Sequence, residues 1–158
     1  MGIALTLHLL AATLWVGGMF FAVVALRPAA AELEPAHRMK LWADALGRFF
    51  SWVWVAAALL LATGLWMIFG VLGGMKAVGM HVHLMLGLGL LMMLILGHAW
   101  FAPFKRLRRA VADGHWADAG KALNQIRILI SVNLVLGVAV MAIASGGRYF
   151  FSAASLSP

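Results

Sequence analysis

Four apolar runs divide the chain, at residues 3–26, 49–72, 80–102 and 128–144. Each is close to or above the roughly 18 residues that mark a membrane-spanning helix. Hydrocarbon offers no water to backbone N–H and C=O groups, so each run must close its own hydrogen bonds as a helix. A transmembrane barrel would need short alternating segments, and the sequence has none. The pattern predicts an all-α fold, an integral membrane four-helix bundle forming a single domain over 1–158. Its spans are set at about 3–26, 49–72, 80–102 and 125–145.

The stretches between the runs carry their own periodicity. Arg27-Pro28 is expected to end the first span. After Pro35, residues Leu41, Trp42, Ala45, Leu46 and Phe49 recur at helical spacing. Segment 33–48 therefore reads as a short amphipathic cytoplasmic helix, lying on the membrane surface or leading into the second span. Gly70, Gly73 and Gly74 loosen the end of the second span. Beyond Pro103, the residues Phe104, Leu107 and Val111 continue a helical pattern, and Asp113-Gly114 is a turn signal. The fourth helix is expected to begin near His115 or Trp116, well before its apolar part. Trp42, Trp52, Trp54 and Trp100 fall where an aromatic belt at the cytoplasmic interface would lie.

Composition agrees with the pattern. The chain is 65% hydrophobic and 11% charged, against roughly 45–50% and 25% in soluble domains. The net charge of +7 invites a nucleic-acid partner, but its distribution gives a different reason. Ten of the twelve Lys and Arg residues lie in 27–48 and 103–127, and only Lys76 and Arg148 lie elsewhere. The positive-inside rule puts both basic segments in the cytoplasm and both termini on the outer (periplasmic) side of an inner membrane. Attraction to anionic lipid headgroups is a second use of the same charges. With no cysteine, the chain holds no disulfide, thiolate metal site or iron–sulfur cluster. Its acids, Glu32, Glu34, Asp44, Asp113 and Asp118, all lie outside the apolar runs. Zinc hydrolysis and a carboxylate-driven proton pump both lack their base.

Polar groups inside the runs are costly and mark candidate sites. The stretch 75–85 places His81 and His83, flanked by methionines, at the mouth of the third run. His8 sits at a similar depth in the first run, which points the same way. Trp15 follows His8 by seven residues, about 20° around a helix, so both share one face. It reads either as a space-filling aromatic or as a wall for a flat cofactor. His83 and His98 share a face roughly 22 Å apart along the axis. His98 has no histidine at matching depth in another span. It therefore reads as a proton relay, a hydrogen-bond donor or an interfacial residue. His81 points about 200° away from His83 and has the plain reading of an interfacial histidine. Lys76 and Arg148 are expected to snorkel, or to steady the acidic groups of a cofactor. Asn133 is expected to bond across helices.

Two cofactors suit these residues. A b-type haem would sit between the first and third spans near the outer leaflet, with His8 and His83 as axial ligands. Met80 or Met85 would be alternative ligands. Copper would use imidazole and thioether donors from His81, His83, Met75, Met80, Met85 and Met19. A cofactor-free structural subunit of a membrane complex is the third reading, with the histidines only hydrogen-bonded.

The motif His8-x6-Trp15-Val16-Gly17-Gly18-Met19-Phe20 resembles the opening of the CopD-like copper-resistance membrane proteins. It is also similar to the HemJ-like membrane protoporphyrinogen oxidases. The stretch from His81-Val82-His83-Leu84 to Gly97-His98, followed by a basic segment, extends the likeness. Resemblance to the first group implies copper uptake or export. Resemblance to the second implies a b-type haem, oxidation of a porphyrinogen and His8 as an axial ligand. That group carries a lysine where this chain has His83. The expectation is thus a CopD-like haem-binding membrane protein acting in electron transfer or haem-dependent oxidation, with copper binding or transport as the alternative. Its partners would be the lipid bilayer, a redox partner or larger membrane complex, and a second copy of itself; nucleic acid is not among them.

Overall fold

A computed structural model describes the backbone of residues 1–153 and the side chains of residues 1–146. The described residues form α1 (Gly2–Phe21), α2 (Arg27–Ala31), α3 (Pro35–Gly70), α4 (Met80–Ala99), α5 (Lys105–Ala112) and α6 (Trp116–Ala153). Two π-helical turns, Ala22–Leu26 and Trp100–Phe104, join α1 to α2 and α4 to α5 without a break. Four continuous rods result, and each carries a stretch long and apolar enough to cross a membrane. This is the predicted all-α four-helix membrane bundle.

The first rod differs from the expected span at Pro28, for a local reason. Pro28 does not end the first span. A proline lacks an N–H and crowds the carbonyl four residues back. Here the preceding turn widens to π geometry and the helix passes through. The same device handles Pro103, which lies inside the second π turn. Of the two readings of segment 33–48, the structure takes the second, a helix that leads into the second span. From Pro35 it runs unbroken into the second span as one helix of 36 residues, roughly 54 Å long against a hydrocarbon core of about 30 Å. Its N-terminal turns must therefore stand outside the bilayer core.

Short connections at 32–34, 71–79 and 113–115 make successive rods antiparallel. Glycines take left-handed φ at two of them, Gly73 and Gly74 at +82° and +92°, and Gly114 at +71° in the predicted Asp-Gly turn. Residues 27–48 and 103–127 thus gather at one end, the basic end. The start of α1, the 71–79 turn and the start of α4 gather at the opposite end.

Packing is uneven along the bundle. Near the basic end, Leu46, Phe50, Phe104, Leu107, Leu123 and Ile126 are all buried. Phe50 meets Phe104 and Trp100 edge-on, with centroids 5.1 Å and 5.5 Å away, a favourable aromatic arrangement. Trp42, expected in an interfacial belt, is 2% exposed and belongs to this core. At the opposite end α4 buries nothing between Met80 and Leu91, and its buried residues are Met92, Leu96 and Ala99. α1 packs on α3 and α6, whereas α4 packs chiefly on α6. The first half of α4 therefore stands off from α1 and leaves a space between them.

The mid-bundle contacts close that space from below. Asn133 of α6, 4% exposed, donates Nδ2–H to the Met92 carbonyl oxygen of α4 at 3.4 Å, the cross-helix bond that the sequence led us to expect. Gly137 lets α6 approach α1. A Cβ there would stand 2.8 Å from Val16 Cγ2 and 3.2 Å from Met92 Cε. Gly137→Ala is expected to lower stability by about 1–3 kcal/mol, the usual cost of overpacking, read as thermal unfolding in detergent.

Candidate functional site

The space between α1 and α4 is a cavity of about 220 Å³ that also touches α3 and α6. Its walls are almost wholly apolar. His8 is the one histidine on them, beside Trp15, and five methionines contribute, Met67, Met85, Met92, Met93 and Met141. Trp15 is 3% exposed and sits in the core as well as on the wall, which accommodates both readings given to it above.

A hydrogen-bond chain fixes the His8 ring. The Thr63 hydroxyl of α3 donates to the Leu59 carbonyl one turn back in its own helix, the usual back-bond of a threonine in a span. Its oxygen is then an acceptor, and His8 Nδ1 lies 2.8 Å from it. We assign the proton to Nδ1 on this basis. Nε2 then carries the lone pair. Gly64 packs beside the ring, where a Cβ would be in ordinary contact with His8 Cε1 at 3.4 Å.

Of the other residues singled out from the sequence, Met85 lines the cavity with His8 and Trp15, but His83 does not. His83 is exposed, with Nδ1 3.2 Å from the Gly79 carbonyl at the start of its own helix. Val82 and Met85 take the inward positions instead. The predicted meeting of His8 and His83 across the bundle therefore does not occur. Equal depth brought the two residues to one level, but the rotation of α4 turns His83 outward. His81 is half-buried, its ring lying over Gly79. Met80 is 63% exposed, and Lys76 is exposed on the 71–79 turn. Met75 is half-buried on that turn. Met19 is buried nearer the basic end, away from the cavity, and His98 is exposed on the last turn of α4. The Arg148 side chain lies outside the described residues. Among the described residues no three His, Cys, Asp or Glu side chains stand together as a metal cluster.

Sequence reasoning missed Thr63, Met67, Met92, Met93 and Met141. A signal existed for Thr63. It lies seven residues from the end of α3 at Gly70, and His8 lies six from the start of α1 at Gly2. In antiparallel neighbours that places both polar groups at one level.

The family model of copper resistance protein D matches residues 43–146. The chain belongs to that family. Membership agrees with the multi-pass membrane architecture and with the CopD-like part of the resemblance in the sequence. The matched residues run from α3 into α6 and include Thr63 and all five cavity methionines, whereas His8 and Trp15 lie before them. No curated protein and no solved structure matches the chain.

Proposed function

We propose that the chain handles copper, binding Cu(I) in the cavity through His8 Nε2 and methionine sulfurs. The single observation that carries this reading is the His8–Thr63–Leu59 hydrogen-bond chain, which leaves a neutral imidazole with a free lone pair on a wall rich in thioethers. Thioether and imidazole are copper donors, and thioether favours Cu(I). Electrostatics favours the monovalent ion too. The cavity walls hold no carboxylate, and the cost of transferring an ion into low dielectric grows with the square of its charge. A divalent ion would have nothing to compensate it.

His81, His83 and Met80 stand at the first turn of α4, two to five residues before the inward-facing Met85. In this proposal they receive copper from the aqueous side, and Met85 passes it inward. The charge pattern puts that end on the outer side of an inner membrane.

A b-type haem fits these residues less well. It asks for two facing imidazoles, and His83 does not line the cavity. A volume of about 220 Å³ is also below the roughly 300–1,000 Å³ of pockets that enclose drug-sized ligands. We give the resemblance to HemJ-like oxidases no catalytic role.

The test is titration of the purified, reduced protein with Cu(I) against a chromophoric chelator. We expect one tightly held ion per chain and X-ray absorption showing mixed nitrogen and sulfur donors. A Soret band in the protein expressed with ample haem, together with no retained copper, would overturn the proposal.

A further inference from the structure

At the basic end three arginines from three helices converge. Arg27 opens α2, Arg38 lies in the first turns of α3 and Arg127 belongs to α6. With Asn124 they line a cavity of about 450 Å³. Arg27 and Arg38 stand close enough for their charges to act on Arg127. The ion pairs among the described residues are His37–Glu34 and Lys121–Asp118, and neither uses these arginines. Arg38 reaches only a backbone carbonyl, that of Ala31, at 3.4 Å. Three like charges thus share one space with no acidic side chain paired to them.

Two buried donors lie beside this cavity. Arg127 Nε and Trp42 Nε1 are both buried without a hydrogen-bond partner. The Arg127 guanidinium lies 5.3 Å over the Trp42 ring, so the two donors belong to one unit. Buried N–H groups are rarely left unpaired, and a native pair of orphans beside an arginine cavity calls for an acceptor from outside the chain. The acceptor must be anionic to offset the repulsion, and it must offer several oxygens to meet donors from three helices. A phosphate group does both, and guanidinium groups bind it by paired hydrogen bonds.

A void of about 10 Å³ adjoins this cavity and shares Arg27, Leu123 and Arg127 with it, too small to take a lipid chain. The cavity itself lies where the rods emerge from the bilayer core, at headgroup level, and basic pockets between spans there suit anionic lipids. We propose that the cavity binds the phosphate of an anionic phospholipid, its headgroup among Arg27, Arg38 and Arg127 and its acyl chains outside in the bilayer.

The full chain, purified in neutral detergent, can be followed by thermal unfolding while phosphatidylglycerol, phosphatidylcholine or inorganic phosphate is added. Phosphatidylglycerol is expected to raise the unfolding temperature, and the other two are not. Arg127→Gln should shift the phosphatidylglycerol midpoint by about tenfold or more, the loss of one charge-assisted hydrogen bond. Arg27→Gln with Arg38→Gln should do the same without touching the Trp42 contact, which keeps the test valid if Arg127→Gln folds poorly. Arg108→Gln with Arg109→Gln, exposed on α5, removes two charges elsewhere and should leave the midpoint in place. Inorganic phosphate acting as well as phosphatidylglycerol would overturn the lipid assignment while supporting a phosphate site. An unchanged midpoint in both cavity variants, or an equal shift in the α5 variant, would overturn the site itself.

Discussion

His8→Ala is expected to weaken Cu(I) binding by more than about a hundredfold, beyond the ten- to hundredfold that loss of an outer hydrogen-bond partner costs. The reason lies in the donor inventory of the cavity. Five methionines line it, but thioether sulfur is a weak donor, and His8 is the one imidazole on the walls. Remove it, and the ion keeps only sulfurs whose flexible side chains must be ordered to hold it. His83→Ala is expected to change the affinity of the same site far less, because His83 is exposed and bonded to the start of its own helix. The pair of variants separates the two histidines by chelator competition. Equal losses from both would mean that α4 rotates on binding and that the inward site is not the one occupied. No loss from His8→Ala would remove the cavity from the copper proposal altogether.

The contrast between these two histidines also marks how far the sequence could be read. The apolar runs determined the four rods, because hydrocarbon leaves the backbone no alternative to a helix. The basic segments and the Asp113-Gly114 turn were equally plain. Depth along a helix is legible too, since rise per residue is fixed, and it correctly brought His8 and the start of α4 to one end. Rotation about the helix axis is another matter. It is set by which residues pack, and α4 is apolar all round, so its sequence has no polar face to declare an inner side. Rotations of about 100° and 160° separate an inward His83 from the observed inward Val82 and Met85. Pro28 misled for a related reason. It reads as a stop in water, but within a bundle the preceding turn can widen and the rod continue. Segment 33–48 showed its helical period clearly, yet nothing in that period distinguishes a helix lying on a surface from the first turns of a longer one.

Thr63→Val is expected to weaken Cu(I) binding by about ten- to hundredfold while leaving the fold in place. Val has nearly the shape of Thr but no oxygen to accept from His8 Nδ1, 2.8 Å away. Two consequences follow from that loss. The Nδ1–H becomes a donor without its partner in an apolar wall, which penalises the tautomer that presents Nε2. The ring also gains freedom to turn, so part of the binding energy is spent on ordering it. Thr63→Ser keeps a hydroxyl and should restore most of the affinity, which a purely steric role for the β-branched side chain would not predict. The readout is the same chelator competition, joined to nitrogen chemical shifts of labelled histidine, which report the tautomer directly. Before copper is added, His8 should carry its proton on Nδ1 in the parent chain and in Thr63→Ser, and shift toward the other tautomer in Thr63→Val. Should Thr63→Val bind copper as the parent does while His8→Ala does not, His8 remains a ligand and the hydrogen-bond chain behind it loses its role. The chain Leu59–Thr63–His8 joins α3 to α1, so the copper site would be set by the packing of two helices that sequence reasoning had placed on either side of a connecting segment, without a bond between them.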